Sequence, residues 1–311
     1  MCKIITSSKN MDVISIKDFS KKKIENFLAE SEKMFEYLKN NAVPKVMQDK
    51  ILGTLFFEPS TRTRLSFTSA MYKLGGQVLG FGSTESSSIS KGENLNDTIK
   101  VVENYCDIFT IRHPEEGAAR YVADITDKPV INCGDGGNQH PTQTILDLYS
   151  IQKLKGKIEG LNIALLGDLK HARVMKSLAS ALCMFKANLR LISPVGLEMG
   201  QNTINDLKKF NTDIIETNDI KEGLKNVDVI YVCRIQKERF DDIYDAQRLQ
   251  REFRLKLDHL SHVNKDLIIL HALPKLTEIS PEIDNTSYAK YFEQVYYGIP
   301  VRMAILNMVV E

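Results

Sequence analysis

The residues of this sequence best equipped for chemistry are cations and hydroxyls gathered in a few short runs. Glu58-Pro59-Ser60-Thr61-Arg62-Thr63-Arg64 sets arginines among hydroxyls. Hydroxyls and backbone N–H groups at a helix start form an anion site, aided by the helix dipole. Arginine adds paired donors that match phosphate. For an ordinary Ser-Thr before a helix a plain N-cap is the commoner role, but two arginines directly behind the hydroxyls shift the reading to phosphate. Gly134-Asp135-Gly136-Gly137-Asn138-Gln139-His140-Pro141-Thr142-Gln143 holds a histidine in a Gly-rich turn. A ring that titrates near neutrality can donate a hydrogen bond to a carbonyl oxygen there, and Gln143, one turn on, reaches the same ligand. A lone histidine is more often a cap or a packing group, so this run carries less weight by itself.

Arg112, Arg173 and Arg234 also end or follow apolar runs. Arg173 and Arg234 suit either surface ion pairs or, together, a ligand with two carboxylates. The polar segment 82–93, with Ser86, Ser87, Ser88 and Lys91, reads as a solvated loop or as a lid that delivers a cation. There is no GxxxxGK[ST] and no GxGxxG, so a nucleotide is not implied. No Ser-His-Asp order or metal-ligand cluster stands out, and Cys133 and Cys233 read as small buried hydrophobes.

These runs share one position in the predicted fold. Strands are expected at Ile51–Phe57, Gln77–Phe81, Asp107–Arg112 and Pro129–Cys133, then at Asn162–Leu166, Asn188–Ser193, Asp228–Cys233 and Leu267–His271. Helical spacing marks 20–39, 61–74, 94–105, 115–125, 142–154, 172–185, 200–210 and 219–225, and the end from about 287, interrupted at Gly298-Ile299-Pro300. Continuous apolar strands alternating with helices imply parallel sheets covered on both faces. The fold class is α/β: two doubly wound domains, each with a mainly parallel sheet flanked by helices, joined by interdomain helices. In such sheets ligands bind beyond the carboxyl ends of the strands, which is where the cationic runs fall. A doubly anionic small molecule is their natural complement.

At roughly 150 residues per domain, 311 residues give two domains, and by composition the polar, Gly-flanked stretch 153–162 marks their division. Lys and Arg number 41 against 40 Asp and Glu, a net charge of +1 that speaks against a nucleic-acid binder and a polybasic membrane-surface protein. An apolar content of 43% with so small a charge excludes strong disorder. Five cysteines, an odd count without CxxC spacing, suggest neither a disulfide framework nor a zinc site. MCKIITSSKN lacks the apolar core of a signal peptide, and no run approaches the roughly 18 apolar residues of a membrane span. A reducing cytoplasm is the expected compartment.

FFEPSTRTRLSF, SKGENLNDTI, IRHPEEGAAR, NCGDGGNQHPTQTILDLY, LLGDLKHAR, RIQKERF, LHALPK and VRMAIL, in that order from residue 56 to 306, together resemble the catalytic chains of the aspartate carbamoyltransferase family. The resemblance implies a transferase that moves the carbamoyl group of carbamoyl phosphate to the amine of L-aspartate in de novo pyrimidine biosynthesis. It implies a carbamoyl-phosphate-binding domain at 1–140, with helix 292–311 packing back on it, and an aspartate-binding domain at 141–291. Ser60, Thr61, Arg62 and Thr63 would hold the phosphate. Arg112 would touch phosphate and carbonyl oxygen, with Thr63 and His140 also facing that oxygen and Gln143 the carbamoyl amide. Arg173, Arg234 and Gln236 would bind the aspartate carboxylates, and Ala272 and Leu273 would offer main-chain carbonyls. Ser87 and Lys91 match positions that reach into a neighbouring subunit's site, which implies a homotrimer with shared active sites. Glu58 would pair with Arg173 and Arg239 on domain closure. No cofactor or metal is implied. In some relatives regulatory chains join the trimers in a larger assembly, and the resemblance admits them as partners.

The chain departs from the family pattern at Ala272 and Lys275, where Pro and Arg are usual, and at Lys176, where a His is common. Losing a proline ring frees one φ angle and leaves that loop less pre-organised. Leu273–Pro274 is expected to be cis. Carbamoyl transfer to ornithine would need an Asp-x-x-x-Ser-Met-Gly segment and His-Cys-Leu-Pro, and neither is present. A non-catalytic paralogue would lack a ligand-facing residue, and all of those named are kept.

Overall fold

Aliphatic and β-branched runs build the strands of the computed structural model, which describes residues 11–83, 88–236, 240, 242–261 and 263–310. The strands are β1 (Ile51–Phe56), β2 (Gln77–Phe81), β3 (Ile108–His113), β4 (Val130–Asp135), β5 (Asn162–Leu166), β6 (Asn188–Ile192), β7 (Ile214–Thr217), β8 (Val229–Val232) and β9 (Ile268–His271). The helices are α1 (Lys21–Lys39), α2 (Arg62–Lys73), α3 (Leu95–Val102), α4 (Ala118–Ile125), α5 (Pro141–Lys155), α6 (Arg173–Met184), α7 (Gln201–Lys208), α8 (Ile220–Gly223), α9 (Ile243–Glu252) and α10 (Tyr291–Val310).

The chain divides into two units. The first comprises 1–19, 23–142 and 299–311, the second 20–22 and 143–298. The chain passes from one to the other inside α5 and inside α10.

The first unit holds a four-stranded sheet of order β2-β1-β3-β4, parallel throughout. β1, β3 and β4 are buried nearly end to end, as strands covered on both faces must be. Ile14, Leu55, Ile99, Phe109, Ile111 and Val122 form one core of this unit. Asn94 starts α3 by accepting the Asp97 N–H at 2.9 Å, a capping bond of the common type.

The second unit holds a five-stranded parallel sheet of order β7-β6-β5-β8-β9. Leu166, Ile192, Ile230, Val232, Leu255, Ile269 and Tyr291 belong to a core on it. In both sheets the strand order reverses beside the first strand, between β1 and β3 and between β5 and β8. Such switch points leave a crevice outside the carboxyl ends of the strands.

Three elements differ from the sequence expectation. β7 was not predicted: its four residues sit at a sheet edge, the outer two half-buried and the inner two exposed, so no continuous apolar run announces it. α9, capped by Asp242 through the Tyr244 N–H at 2.7 Å, was also missed. α10 is not interrupted at Gly298-Ile299-Pro300 but runs through Pro300. A proline inside a helix costs about 3 kcal/mol, and burial of Val301, Met303, Ala304, Ile305, Leu306 and Val309 behind it outweighs that cost. The turn at Gly156, in the stretch that composition marks as a division, lies within the second unit. Among the described residues no helix is long and apolar enough to cross a membrane.

Candidate active site

In the first unit the switch point puts Phe56 of β1 in register with Arg112 of β3, and Phe57 N–H donates to Arg112 O at 2.8 Å. The exits of the two strands therefore lie side by side. Arg112 is held by its Nη1 donating to Cys133 O at 3.3 Å, and its Nε lies 3.3 Å from Glu58 Oε2. Arg62 opens α2. Partial burial and then the positive charge of Arg112 lower its pKa, so two guanidinium groups approach closely enough to repel. Such an arrangement attracts an anion. Thr61 occupies the N-cap position of α2, yet its side chain makes no capping hydrogen bond, so the plain N-cap role does not describe it. Thr63 is buried and Ser60 half-buried beside it.

His140 is buried, its Nδ1 3.3 Å from Thr142 Oγ1. The turn that carries it is organised by Asp135, 1% exposed. One oxygen of Asp135 accepts from Gln139 N–H at 3.0 Å and Asn132 Nδ2 at 2.9 Å; the other accepts from Gly117 N–H and Asn138 Nδ2, each at 3.0 Å. Arg302, buried over the Phe67 ring, donates from Nη1 to Thr142 O at 2.9 Å and so ties down the start of α5. Burial pushes the Cys133 thiol up to about 12, against the pull of Arg302 and Arg112, which leaves it unreactive at neutral pH. Lys91 is exposed at the end of a short 3-10 turn, Ser88–Lys91. Ser86, Ser87 and Arg239 lie outside the described residues.

In the second unit Gly167 follows β5 at φ +127°, and a Cβ there would stand 2.1 Å from Cys233 O, so only glycine fits. Asp168 is next and fully buried. It accepts from His171 N–H at 2.9 Å and from Gln236 N–H at 3.3 Å, and its Oδ2 lies 3.1 Å from His171 Nδ1. It thereby joins the loop after β5, which leads to Arg173 at the start of α6, with the loop after β8, which carries Arg234 and Gln236. Arg173, Arg234 and Gln236 are half-buried. His271 ends β9, in register with Val232 of β8. Leu273–Pro274 is cis, and Leu273 has φ +56°. Gln143 Nε2 donates to Asp147 Oδ1 at 2.8 Å.

Glu58, Arg62 and Arg112 are thus brought to one crevice of the first unit. Arg173, Arg234, Gln236 and the Ala272-Leu273 turn follow the adjacent strands β5, β8 and β9 of the second. Glu58 faces Arg112, a partner that the sequence did not suggest. Asp135 and Asp168 were also missed as organisers. A signal was present: Gly134-Asp135 and Gly167-Asp168 both come at the end of a buried strand, each behind a glycine of positive φ. Among the described residues no group of three or more His, Cys, Asp or Glu is arranged to hold a metal ion.

The family model "Aspartate/ornithine carbamoyltransferase, carbamoyl-P binding domain" matches residues 11–153, and "Aspartate/ornithine carbamoyltransferase, Asp/Orn binding domain" matches residues 159–309. The chain is 50% identical over 300 residues to the aspartate carbamoyltransferase catalytic subunit of Thermococcus kodakarensis, covering 96% of this chain and 97% of the relative. It is 48% identical over 306 residues to that of Methanopyrus kandleri, covering 98% and 99%. Among solved structures, the catalytic subunit of M. jannaschii aspartate transcarbamoylase superposes with a TM-score of 0.90 at 45% identity, over 96% of this chain and 97% of that one. The Trypanosoma cruzi aspartate transcarbamoylase in complex with carbamoyl phosphate and aspartate gives 0.88 at 33%, over 96% and 97%.

Proposed function

This chain belongs to the aspartate/ornithine carbamoyltransferase family, on the branch of its aspartate enzymes, and from that premise we propose how its residues divide the work. It transfers the carbamoyl group of carbamoyl phosphate to the amine of L-aspartate, giving N-carbamoyl-L-aspartate and phosphate. Residues 1–140, with the helix 292–311, serve carbamoyl phosphate, and residues 141–291 serve aspartate. Ser60, Thr61, Arg62 and Thr63 take the phosphate. Arg112 bridges phosphate and carbonyl oxygen, with Thr63 and His140 on the same oxygen and Gln143 on the amide. Arg173, Arg234 and Gln236 take the aspartate carboxylates, and Ala272 and Leu273 offer carbonyls.

The unprotonated amine of aspartate attacks the carbamoyl carbon, and a C–N bond forms. The resulting oxyanion is met by Thr63, Arg112 and His140, donors set in place before charge develops. The C–O bond to phosphate then breaks, and the leaving phosphate takes the amine proton. The step balances without a cofactor, and its rate comes from holding two anions together and neutralising them. The observation that carries this reading is the convergence of Arg62 and Arg112 beside Thr61, whose hydroxyl makes no capping bond, at the β1–β3 switch point. Its test is an acceptor assay with carbamoyl phosphate and either aspartate or ornithine, run on the wild type and on His140→Ala. Turnover with aspartate alone, reduced about a hundredfold or more in the variant, is expected. Near-normal turnover of His140→Ala overturns its role.

The same reading makes the protein a cytoplasmic enzyme of pyrimidine biosynthesis and a homotrimer, with Ser87 and Lys91 completing a neighbour's site. Mixing Lys91→Ala with Arg62→Ala chains should restore activity, because hybrid trimers contain intact sites; verified mixed trimers without recovery count against sharing. The solution mass of the native complex shows whether regulatory chains join.

A further inference from the structure

A line of buried polar side chains runs through the second unit and, beyond its first member, takes no part in the proposed carbamoyl transfer. It starts at Gln143, whose Nε2 donates to Asp147 Oδ1. That oxygen also accepts from Gln294 Nε2 at 2.7 Å, and Gln294 Oε1 accepts the backbone N–H of His271 at 3.0 Å. The His271 ring continues the line. Its Nδ1 accepts the Leu273 N–H at 2.7 Å, and its Nε2 lies 2.8 Å from Glu278 Oε1. The Glu278 carboxylate accepts the N–H groups of Leu276 at 3.1 Å and Thr277 at 3.0 Å. All five side chains are less than 9% exposed, Asp147 completely buried. Burial works to raise the Glu278 pKa, but His271 and the backbone donors hold it below the ordinary carboxylate value.

A ring nitrogen that accepts a backbone N–H carries no proton. His271 is therefore neutral, with its single proton on Nε2, on the side of Glu278. A charged ring would set N–H against N–H at Leu273. Leu273 needs such a hold: φ +56° is a region that a bulky side chain enters only when its surroundings impose it. The preceding residue is Ala272, without the fixed φ of a proline.

We propose that His271 is a positioning residue for the acceptor amino acid: its neutral ring, braced by Glu278, fixes the Ala272-Leu273 turn, and Gln294 and Asp147 tie that turn to Gln143. This rests on the reading in which Ala272 and Leu273 offer main-chain groups to aspartate. His271 acts through the turn and is not itself a catalytic residue.

Steady-state kinetics on the native enzyme test this role. His271→Gln puts its amide where Nε2 stands but loses the acceptor for Leu273, so the KM for aspartate should rise tenfold or more. Carbamoyl phosphate binding without aspartate should stay within twofold. His271→Asn puts an acceptor near the Nδ1 position and should recover the aspartate KM to within about threefold of wild type. Imidazole 15N shifts of the wild type should show Nδ1 bare and Nε2 protonated at neutral pH. An aspartate KM within twofold in His271→Gln overturns the proposal, as does a protonated Nδ1. Should His271→Gln fail to fold, the 15N spectrum decides. A wild type that does not carbamoylate aspartate defeats the functional reading, and the spectrum then judges the bracing of the turn separately.

Discussion

The two switch points of this molecule are built on one plan and loaded differently. Each has a parallel sheet whose order reverses beside its first strand, and each unit has a Gly-Asp pair at a strand exit whose buried carboxylate gathers backbone N–H groups. In the first unit the crevice itself is filled with charge: Arg62 and Arg112 repel each other, and Glu58 faces Arg112. In the second, Asp168 binds two loops together, and the cations stand apart, Arg173 at the start of α6 and Arg234 on the loop after β8. A dense cluster suits a compact multiply charged group on which charge develops. Spaced cations on hydrogen-bonded loops suit a longer ligand recognised by shape.

The sharpest way to break this contrast is kinetic. Arg112→Met should lower kcat by a hundredfold to a thousandfold, about 3–4 kcal/mol of transition-state stabilisation. Arg234→Met should act chiefly on the aspartate KM and leave carbamoyl phosphate binding within twofold. If the two variants exchange phenotypes, the division of labour is wrong.

The shared plan is tested next. Asp135→Asn and Asp168→Asn each remove acceptors from buried N–H groups, at about 1–3 kcal/mol apiece. Chemical denaturation should show comparable losses in both, whereas activity should respond through His140 in one and through aspartate affinity in the other. A loss in only one variant would show that the Gly-Asp pairs are not equivalent.

The smallest effect is a pH slope confined to the first unit. Burial lowers the His113 pKa despite Glu115, Glu58 and Asp135, and His113 Nδ1 accepts the Glu115 N–H at 3.1 Å. Its folded pKa lies below the unfolded value of about 6.5. Its contribution is therefore complete above that value and is lost as pH falls through the folded pKa. Melting temperatures should decline below about pH 6.5 in the wild type and decline less in His113→Gln; parallel curves would remove His113 from the account.

The sequence made the strand exits legible because the buried parallel strands are continuous apolar runs, so whatever follows them stands out. Arg62, Arg112, His140, Arg173 and Arg234 stand out in this way. It failed where burial is partial, at β7, and where packing overrides a local breaker, at Pro300 in α10. The carboxylate organisers were hidden for a different reason. Gly117 donates to Asp135 from 18 residues away, and Glu278 is linked to Gln143 through Asp147, Gln294 and His271. No spacing along the chain records such convergence.

The passage of the chain through α5 and α10 has a consequence for biosynthesis. The second unit is, apart from three residues, one uninterrupted stretch, while the first needs 299–310 to be complete. A ribosome therefore finishes the later unit first. The earlier one waits, with all four of its strands already made, for the segment that brings Arg302 to Thr142. Shortening the tail should consequently injure the His140 turn, far away in sequence, before it injures the unit synthesised just ahead of it.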